Sequence, residues 1–348
     1  MSKKEKNDEL EEVKETSTGA QQVPGKGLDV GTANLVCASH DTDGEATIKA
    51  IRNAFLDIQV DDYTRNMLTK LNVPFINQNN RFYVIGETAF ELANVFNRTT
   101  KRPMKDGVIS SSEQDALAME KILVESIVGK PVVPNELVYF SIPADPVDSE
   151  MNNVFHKGMF EGMLTNMGYN PKAMTEGHAV ILSELGDEEF TGIGISFGGG
   201  MVNVCVAFKG VPVIYFSTSR SGDWIDKNAA AVTGLQASRI TAIKEKGIDM
   251  TNPQGKEQEA IVIYYRNLIN YTLAQISNKF ASGRDLPQFP KDVTIVCSGG
   301  TSMIGGFIDV FKQEFAKLSF PIAVGEIRHA EDPLNAVAYG CLVASMSE

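Results

Sequence analysis

Apolar positions in this chain follow two rhythms. Short β-branched or alternating runs predict strands at Leu28–Ser39, Glu45–Ile51, Arg81–Gly86, Asn135–Ile142, Ile193–Phe208, Val211–Ser217 and Asp292–Cys297. Between them, spacings of three and four predict helices over Glu87–Ala93, Glu113–Val128, Glu176–Glu184, Ala237–Lys246 and Glu257–Ala281. A stripe at 151, 154, 155, 159, 160, 163, 164 and 167 predicts one more helix, with the methionine-rich face turned to the core. Ser110, Ser111 and Ser112 stand where they can cap the Glu113 helix. Short strands are expected near Ala173–Met174 and Ile322–Val324, and a helix over Asp332–Ala344 closes the chain. Strands alternating with helices over this length make an α/β protein.

The strands are punctuated by glycine in a repeated way. Gly194-Ile-Ser-Phe-Gly-Gly-Gly-Met-Val-Asn-Val-Cys-Val-Ala207 enters three consecutive glycines from one β-rich run and leaves into another. That is a hairpin whose tip has no side chains, so its backbone N–H groups can approach an anion. Gly27-Leu-Asp-Val-Gly-Thr-Ala-Asn-Leu-Val-Cys-Ala38 repeats the pattern nearly half the chain earlier, with Asp29 where the second copy has Ser196. A third glycine-rich loop, Ser298-Gly-Gly-Thr-Ser-Met-Ile-Gly-Gly306, follows the Asp292 strand. In open α/β sheets ligands sit beyond the ends of strands. Two hairpins gripping phosphates, with the third loop against a base, fit a nucleoside triphosphate, and Asp29 would hold a hydrated Mg²⁺. There is no G-x-x-x-x-G-K-[ST] and no G-x-G-x-x-G opening a helix.

Composition narrows the partners. At 348 residues, with 43% hydrophobic and 22% charged positions, the chain is long enough for two globular domains. A net charge of −12 argues against a nucleic-acid backbone as partner. No apolar run is long enough to span a bilayer and no signal peptide opens the chain, so membrane association is not indicated and a cytoplasmic protein is expected. Residues 1–25 are polar and charge-dense, an expected disordered leader. Cys37, Cys205, Cys297 and Cys341 sit singly in apolar runs, which predicts small buried hydrophobes. The four histidines show no metal-ligand spacing. Gly194-Ile-Ser-Phe-Gly198 matches the G-x-S-x-G of serine hydrolases, with Asp292 and His329 following, but that elbow needs a helix directly after the serine.

Several stretches resemble the superfamily of actin, the bacterial shape protein MreB, the magnetosome filament protein MamK, sugar kinases and heat-shock ATPase domains. Leu28-Asp-Val-Gly-Thr-Ala-Asn34 is similar to its first phosphate motif, Ser196-Phe-Gly-Gly-Gly200 to its second, and Ser298–Gly306 to its adenosine motif. Arg102-Pro-Met-Lys-Asp-Gly-Val-Ile109 and Asp332-Pro-Leu-Asn-Ala-Val-Ala-Tyr-Gly340 resemble stretches of MreB and MamK in particular. Ile243-Lys-Glu-Lys246 resembles the actin segment that reaches adenine and ribose. The resemblance implies an actin-like, ribonuclease H-like fold of two α/β domains, each carrying a smaller insertion. The first domain would be 26–170, with an insertion at about 58–100 and 331–348 packing back onto it. The second would be 171–330, with an insertion at about 237–283. It further implies a cytoskeletal protein that binds ATP or ADP with Mg²⁺ and assembles with itself into filaments. The nucleotide would meet Asp29, Gly31, Thr32, Ala33, Asn34, Ser196, Gly198, Gly199, Gly200, Met201, Lys244, Glu245, Gly299, Gly300, Thr301 and Met303. Glu176 falls where MreB has the glutamate proposed to position the attacking water.

The second phosphate motif departs from the family's D-x-G-G-G-T, since the Asp is Ser196 and the Thr is Met201. Electrostatic help of that kind contributes a few kcal/mol, so binding is expected to persist while hydrolysis is weak or absent. A chaperone or reactivase-like ATPase would need a substrate domain after the closing helix, where the sequence ends at Glu348. A small-molecule kinase would need a catalytic Asp, for which Asp223 or Asp226 is available, although both look like helix-start residues.

Overall fold

The computed structural model describes residues 23–347, apart from 97, 284, 285 and 290. The chain opens as an antiparallel meander, β1 (Lys26–Val30), β2 (Asn34–His40) and β3 (Ala46–Arg52). A small unit follows: β4 (Phe55–Gln59), α1 (Asp62–Lys70), β5 (Ile76–Gln78), β6 (Arg81–Ile85) and α2 (Glu87–Val95). A short ribbon, β7 (Met104–Lys105) and β8 (Val108–Ile109), leads to α3 (Ala116–Val128), β9 (Leu137–Ile142), α4 (Val154–Asn166) and β10 (Asn170–Thr175). β9 lies parallel to β1 and β10 parallel to β9, so the first sheet has the order β10-β9-β1-β2-β3.

Helix α5 (Glu176–Glu184) carries the chain to a second antiparallel meander, β11 (Gly192–Phe197), β12 (Val202–Phe208) and β13 (Val211–Thr218). Then come α6 (Gly222–Thr233), α7 (Ala237–Glu245), α8 (Gly255–Ser282) and β14 (Val293–Ser298). A 3₁₀ turn at Gly300–Met303, α9 (Phe307–Phe315), β15 (Val324–His329) and α10 (Ala336–Met346) complete it. The second sheet reads β13-β12-β11-β14-β15, with β14 and β15 again parallel to the strand before them. Both sheets therefore share one plan: a meander whose first strand pairs in parallel with a strand returning from a helical crossover.

The halves meet through α5 and α10. Ala179, Val180, Ala336, Val337 and Cys341 form a buried seam there with Cys205 and Val296. Gly340 faces the Ala179 carbonyl so closely that no Cβ fits, which lets the two helices approach to backbone contact. All four cysteines are buried and free, as expected for small hydrophobes. Among the described residues, no helix is long and apolar enough to cross a membrane.

Three expectations are corrected. The helix expected from Glu113 begins at Ala116 with Asp115 at its N-cap and no side-chain cap, so Ser110, Ser111 and Ser112 lie before its first turn, where Ser110 Oγ and Ser112 Oγ bond each other at 3.0 Å. The strand expected at Ile322–Val324 runs instead over Val324–His329, whose exposed polar positions hide it as an edge strand. The stripe at 151–167 is core at Phe160, Met163 and Leu164, but Val154 and Phe155 are exposed, since periodicity does not say how far along a face its partner extends. Most of the expected leader lies outside the described residues; Gly25, placed within it, donates its N–H to Glu136 Oε1 at 2.9 Å.

Candidate functional site

Both glycine hairpins point their tips into one cavity of about 760 Å³ between the halves. From the first come Asp29, Gly31, Thr32, Ala33 and Asn34, and from the second Ser196, Gly198, Gly199, Gly200 and Met201. The third loop adds Gly299, Gly300, Thr301 and Met303, the end of α7 adds Lys244 and Glu245, and Glu176 enters from the start of α5. Every residue named from the sequence for the nucleotide thus lines the same space. Phe197, beneath the second tip, is fully buried against Phe307, with ring centroids 5.0 Å apart, which fixes that hairpin to the helix after the third loop. Gly299 sits at φ +87 against the Phe197 backbone, a place and conformation only glycine accepts without strain.

The two tips touch through the 102–109 loop. Gly107 donates its N–H to Thr32 Oγ1 at 3.2 Å and packs against the Met201 side chain. Thr301 Oγ1 donates to the Gly198 carbonyl at 3.0 Å, joining the third loop to the second tip. Three stretches of backbone far apart in sequence are thereby held around one point.

The carboxylates at the floor differ in support. Asp29 Oδ1 accepts from Ser141 Oγ at 2.9 Å, and the same hydroxyl accepts from the Val30 N–H at 2.8 Å. Glu176 Oε2 accepts from Ser196 Oγ at 2.8 Å. Burial raises both carboxyl groups above the ordinary carboxylate range, and for Glu176 the neighbouring Asp29 raises it further. The serine hydrogen bonds offset part of this.

Six carboxylates but three cationic side chains line the cavity. Each cation is already paired: Arg52 with Glu87 and Glu245 (both 3.1 Å), Arg102 with Asp223 (3.1 Å), and Lys244 with Asp226 (2.6 Å). The Arg52–Glu245 and Arg102–Asp223 pairs bridge the two halves. Bare phosphate would meet backbone N–H groups but excess negative charge. A divalent cation beside Asp29 answers that mismatch, since carboxylate and water oxygens are the donors a hard cation prefers. Asp29, lining the cavity beside the first hairpin tip, therefore fits a hydrated Mg²⁺. No group of three or more His, Cys, Asp or Glu side chains suited to a direct metal cage is present among the described residues.

Several lining or supporting residues were not singled out as ligands from the sequence. Ser141 reaches Asp29 only through the β1–β9 pairing, though a serine in a buried strand before Pro143 was a visible irregularity. Arg52 and Tyr265 gave no local signal, and Leu334 and Asn335 stood in the 332–340 motif without being named as ligands. The hydrolase constellation is not assembled: a turn and then β12 follow Ser196, and His329 Nε2 pairs with the Ser302 carbonyl at 2.8 Å.

Solved structures with this architecture define the class. A MamK double helical filament matches with a TM-score of 0.71 and 19% identity, over 93% of this chain and 98% of that one. MreB 5 of Spiroplasma citri bound to AMPPNP matches at 0.65 and 15%, over 93% and 96%. The ethanolamine utilization protein EutJ from Carboxydothermus hydrogenoformans matches at 0.53 and 15%, over 92% and 89%. The chain thus has the two-domain actin-like fold. Within it, residues 25–345 match the Volactin family model, and the chain belongs to that family. No curated protein sequence matches it.

Proposed function

We propose that this chain is a cytoplasmic, actin-like cytoskeletal protein that binds ATP or ADP with Mg²⁺ in the inter-domain cleft and polymerises with itself. Its halves would be 26–170 with 331–348, and 171–330. The observation that carries the reading is the convergence of both glycine hairpins and the 298–306 loop on one cavity. Their backbone N–H groups would hold the phosphates, and the end toward Lys244, Glu245 and Met303 would take the base and ribose. Mg²⁺, when bound, supplies the positive charge that the paired cations do not. Glu176 would orient water, and hydrolysis would be slow because Ser196 and Met201 replace the Asp and Thr of the usual motif. The relatives support self-assembly and nucleotide: one is a MamK filament, and MreB5 was solved with AMPPNP and with ADP.

A second reading is a chaperone or reactivase-like ATPase with the same fold. The kinase reading is weaker, since Asp223 and Asp226 are committed to Arg102 and Lys244. Sedimentation with ATP, ADP or no nucleotide, with released phosphate measured in the same tubes, decides. Pelleting that depends on nucleotide with slow phosphate release is expected. A protein that stays in the supernatant throughout while releasing phosphate briskly sinks the filament reading.

A further inference from the structure

Beneath the first hairpin tip lies a polar pair that no motif contains. Asn53, just after β3, and Glu120, on α3, are both fully buried. Asn53 Nδ2 donates to the Gly31 carbonyl at 3.0 Å and to Glu120 Oε1 at 3.3 Å, while its main-chain N–H donates to the Ala33 carbonyl at 2.9 Å. One residue therefore holds two carbonyls of the glycine turn, those of Gly31 and Ala33. A trans peptide is planar with C=O and N–H opposed, so pinning the Gly31 and Ala33 oxygens inward turns the Thr32 and Asn34 N–H groups the other way. Thr32 and Asn34 line the cavity.

The pair has an imbalance. Asn53 Oδ1 and Glu120 Oε2 are buried without a hydrogen-bond partner. Exchanging the amide's O and N removes neither fault, because the atoms bonded to Nδ2 are both acceptors. A proton on Glu120 supplies the missing donor, and acid and amide can then pair through two hydrogen bonds. Burial pushes the Glu120 carboxyl up to about 8, with the Asn53 bond opposing. The charged groups on the surrounding elements are engaged elsewhere: Arg52 of β3 with Glu87 and Glu245, Lys101 with Asp57 of β4 and Glu113, and Lys121 of α3 with Glu125. Cys37 and His40 of β2, Lys49 of β3 and Tyr83 of β6 also lie on packed elements, and none of these groups adds to the Glu120 shift.

We propose that Asn53 and a neutral Glu120 act as one positioning unit that aims the first turn's N–H groups at phosphate. The proposal rests on the nucleotide reading, and its test has a readout that does not. On the full chain, affinity for a fluorescent ATP analogue with Mg²⁺ is measured from pH 6.5 to 9.5, together with amide hydrogen exchange of residues 31–34 without nucleotide. Wild-type affinity is expected to fall roughly tenfold across that range as one buried hydrogen bond is lost, with exchange at 31–34 (corrected for its intrinsic pH dependence) speeding up in parallel. Glu120→Gln, whose amide mimics the protonated acid, is expected to show no change in corrected exchange and a flatter affinity profile, its remaining slope coming from Asp29 and Glu176. Asn53→Ala is expected to show fast exchange at all pH values. The same pH dependence of corrected exchange in Glu120→Gln as in wild type overturns the proposal, as does unchanged exchange in a folded Asn53→Ala. Absence of analogue binding at any pH overturns the nucleotide reading instead, and the exchange comparison still decides the role of the pair.

Discussion

The two hairpins occupy equivalent places in two sheets of identical order, yet one is complete and the other is not. In the first, Asp29 on β1 is held by Ser141 of the adjacent parallel strand. In the second, Ser196 on β11 pairs in register with Ser298 of its adjacent parallel strand. Ser298 is the counterpart of Ser141, and its buried Oγ has no partner. Ser196 turns away from it and donates to Glu176. A buried polar atom without a partner calls for an explanation. Here the explanation is positional: the hydroxyl stands where the carboxylate of a complete motif would accept from it. Gly31 and Gly198 open the two turns at matching places, while Gly199 and Gly200 stand where the first copy has Thr32 and Ala33, and the second copy lacks the carboxylate at Ser196 and the hydroxyl at Met201.

The proposed Mg²⁺ site lies on the first hairpin, and Asp29→Ala tests it most severely. Losing one charge-assisted contact to the metal's water shell costs about 2 to 3 kcal/mol, roughly a hundredfold in nucleotide affinity with Mg²⁺ present. Calorimetric titration with and without Mg²⁺ reads it. If Mg²⁺ strengthens binding equally in wild type and variant, the two hairpins are not divided in this way.

Ser196→Asp attempts to complete the second copy. The new carboxylate can accept from Ser298 and share the water shell of a bound Mg²⁺, so phosphate release per chain should rise about tenfold. It also stands beside Glu176, so the apo protein should be less stable than wild type. Turnover that stays at the wild-type level in a folded, nucleotide-binding variant would assign the slow step to Met201 or to filament packing.

A smaller effect follows from protonation. Asp29 and Glu176 both have raised proton affinity in the folded chain, so across that window the folded state binds more protons than the unfolded one. Stability is then full below the ordinary carboxylate range and falls as pH rises through the raised values. Buried Glu120 adds to the same slope. Mg²⁺ with nucleotide should flatten the part due to the floor carboxyls, and Glu176→Gln should flatten it without ligand. Denaturation midpoints of the apo protein that climb with pH between about 5 and 8, a range that runs from just above the ordinary acid values to the raised ones, contradict this sign.

Much of this arrangement was legible in sequence because it is written locally. A strand that runs into Gly198-Gly-Gly200 and out again specifies a bare turn by itself, and all three glycine loops reach the cavity. What stayed hidden is written across sequence distance. The Ser141 contact with Asp29, the Arg52–Glu245 pair and the Arg102–Asp223 pair each join elements whose adjacency is set by sheet pairing or by closure of the halves. Local signals also misled at the α3 terminus, where the helix begins at Ala116, beyond the reach of the serines at 110–112. Val154 and Phe155 carry a core pattern on the exposed end of α4, because amphipathicity marks a face without marking what covers it.

The mildest contrast isolates the hairpins from nucleotide altogether. Ser141 and Ser298 are both serines, both fully buried and both beside a strand that enters a glycine turn. Ser141→Ala removes a donor to Asp29 and leaves the Val30 N–H, which it served as acceptor, buried and unpaired. That should cost about 2 kcal/mol of unfolding free energy, the penalty for stranding buried polar groups. Ser298→Ala removes a hydroxyl that bonds nothing, so the change should be within about 0.5 kcal/mol or slightly stabilising. Urea denaturation of the two single variants at one pH measures both. Equal losses would mean that Ser298 is satisfied after all, and that the second hairpin is no less complete than the first.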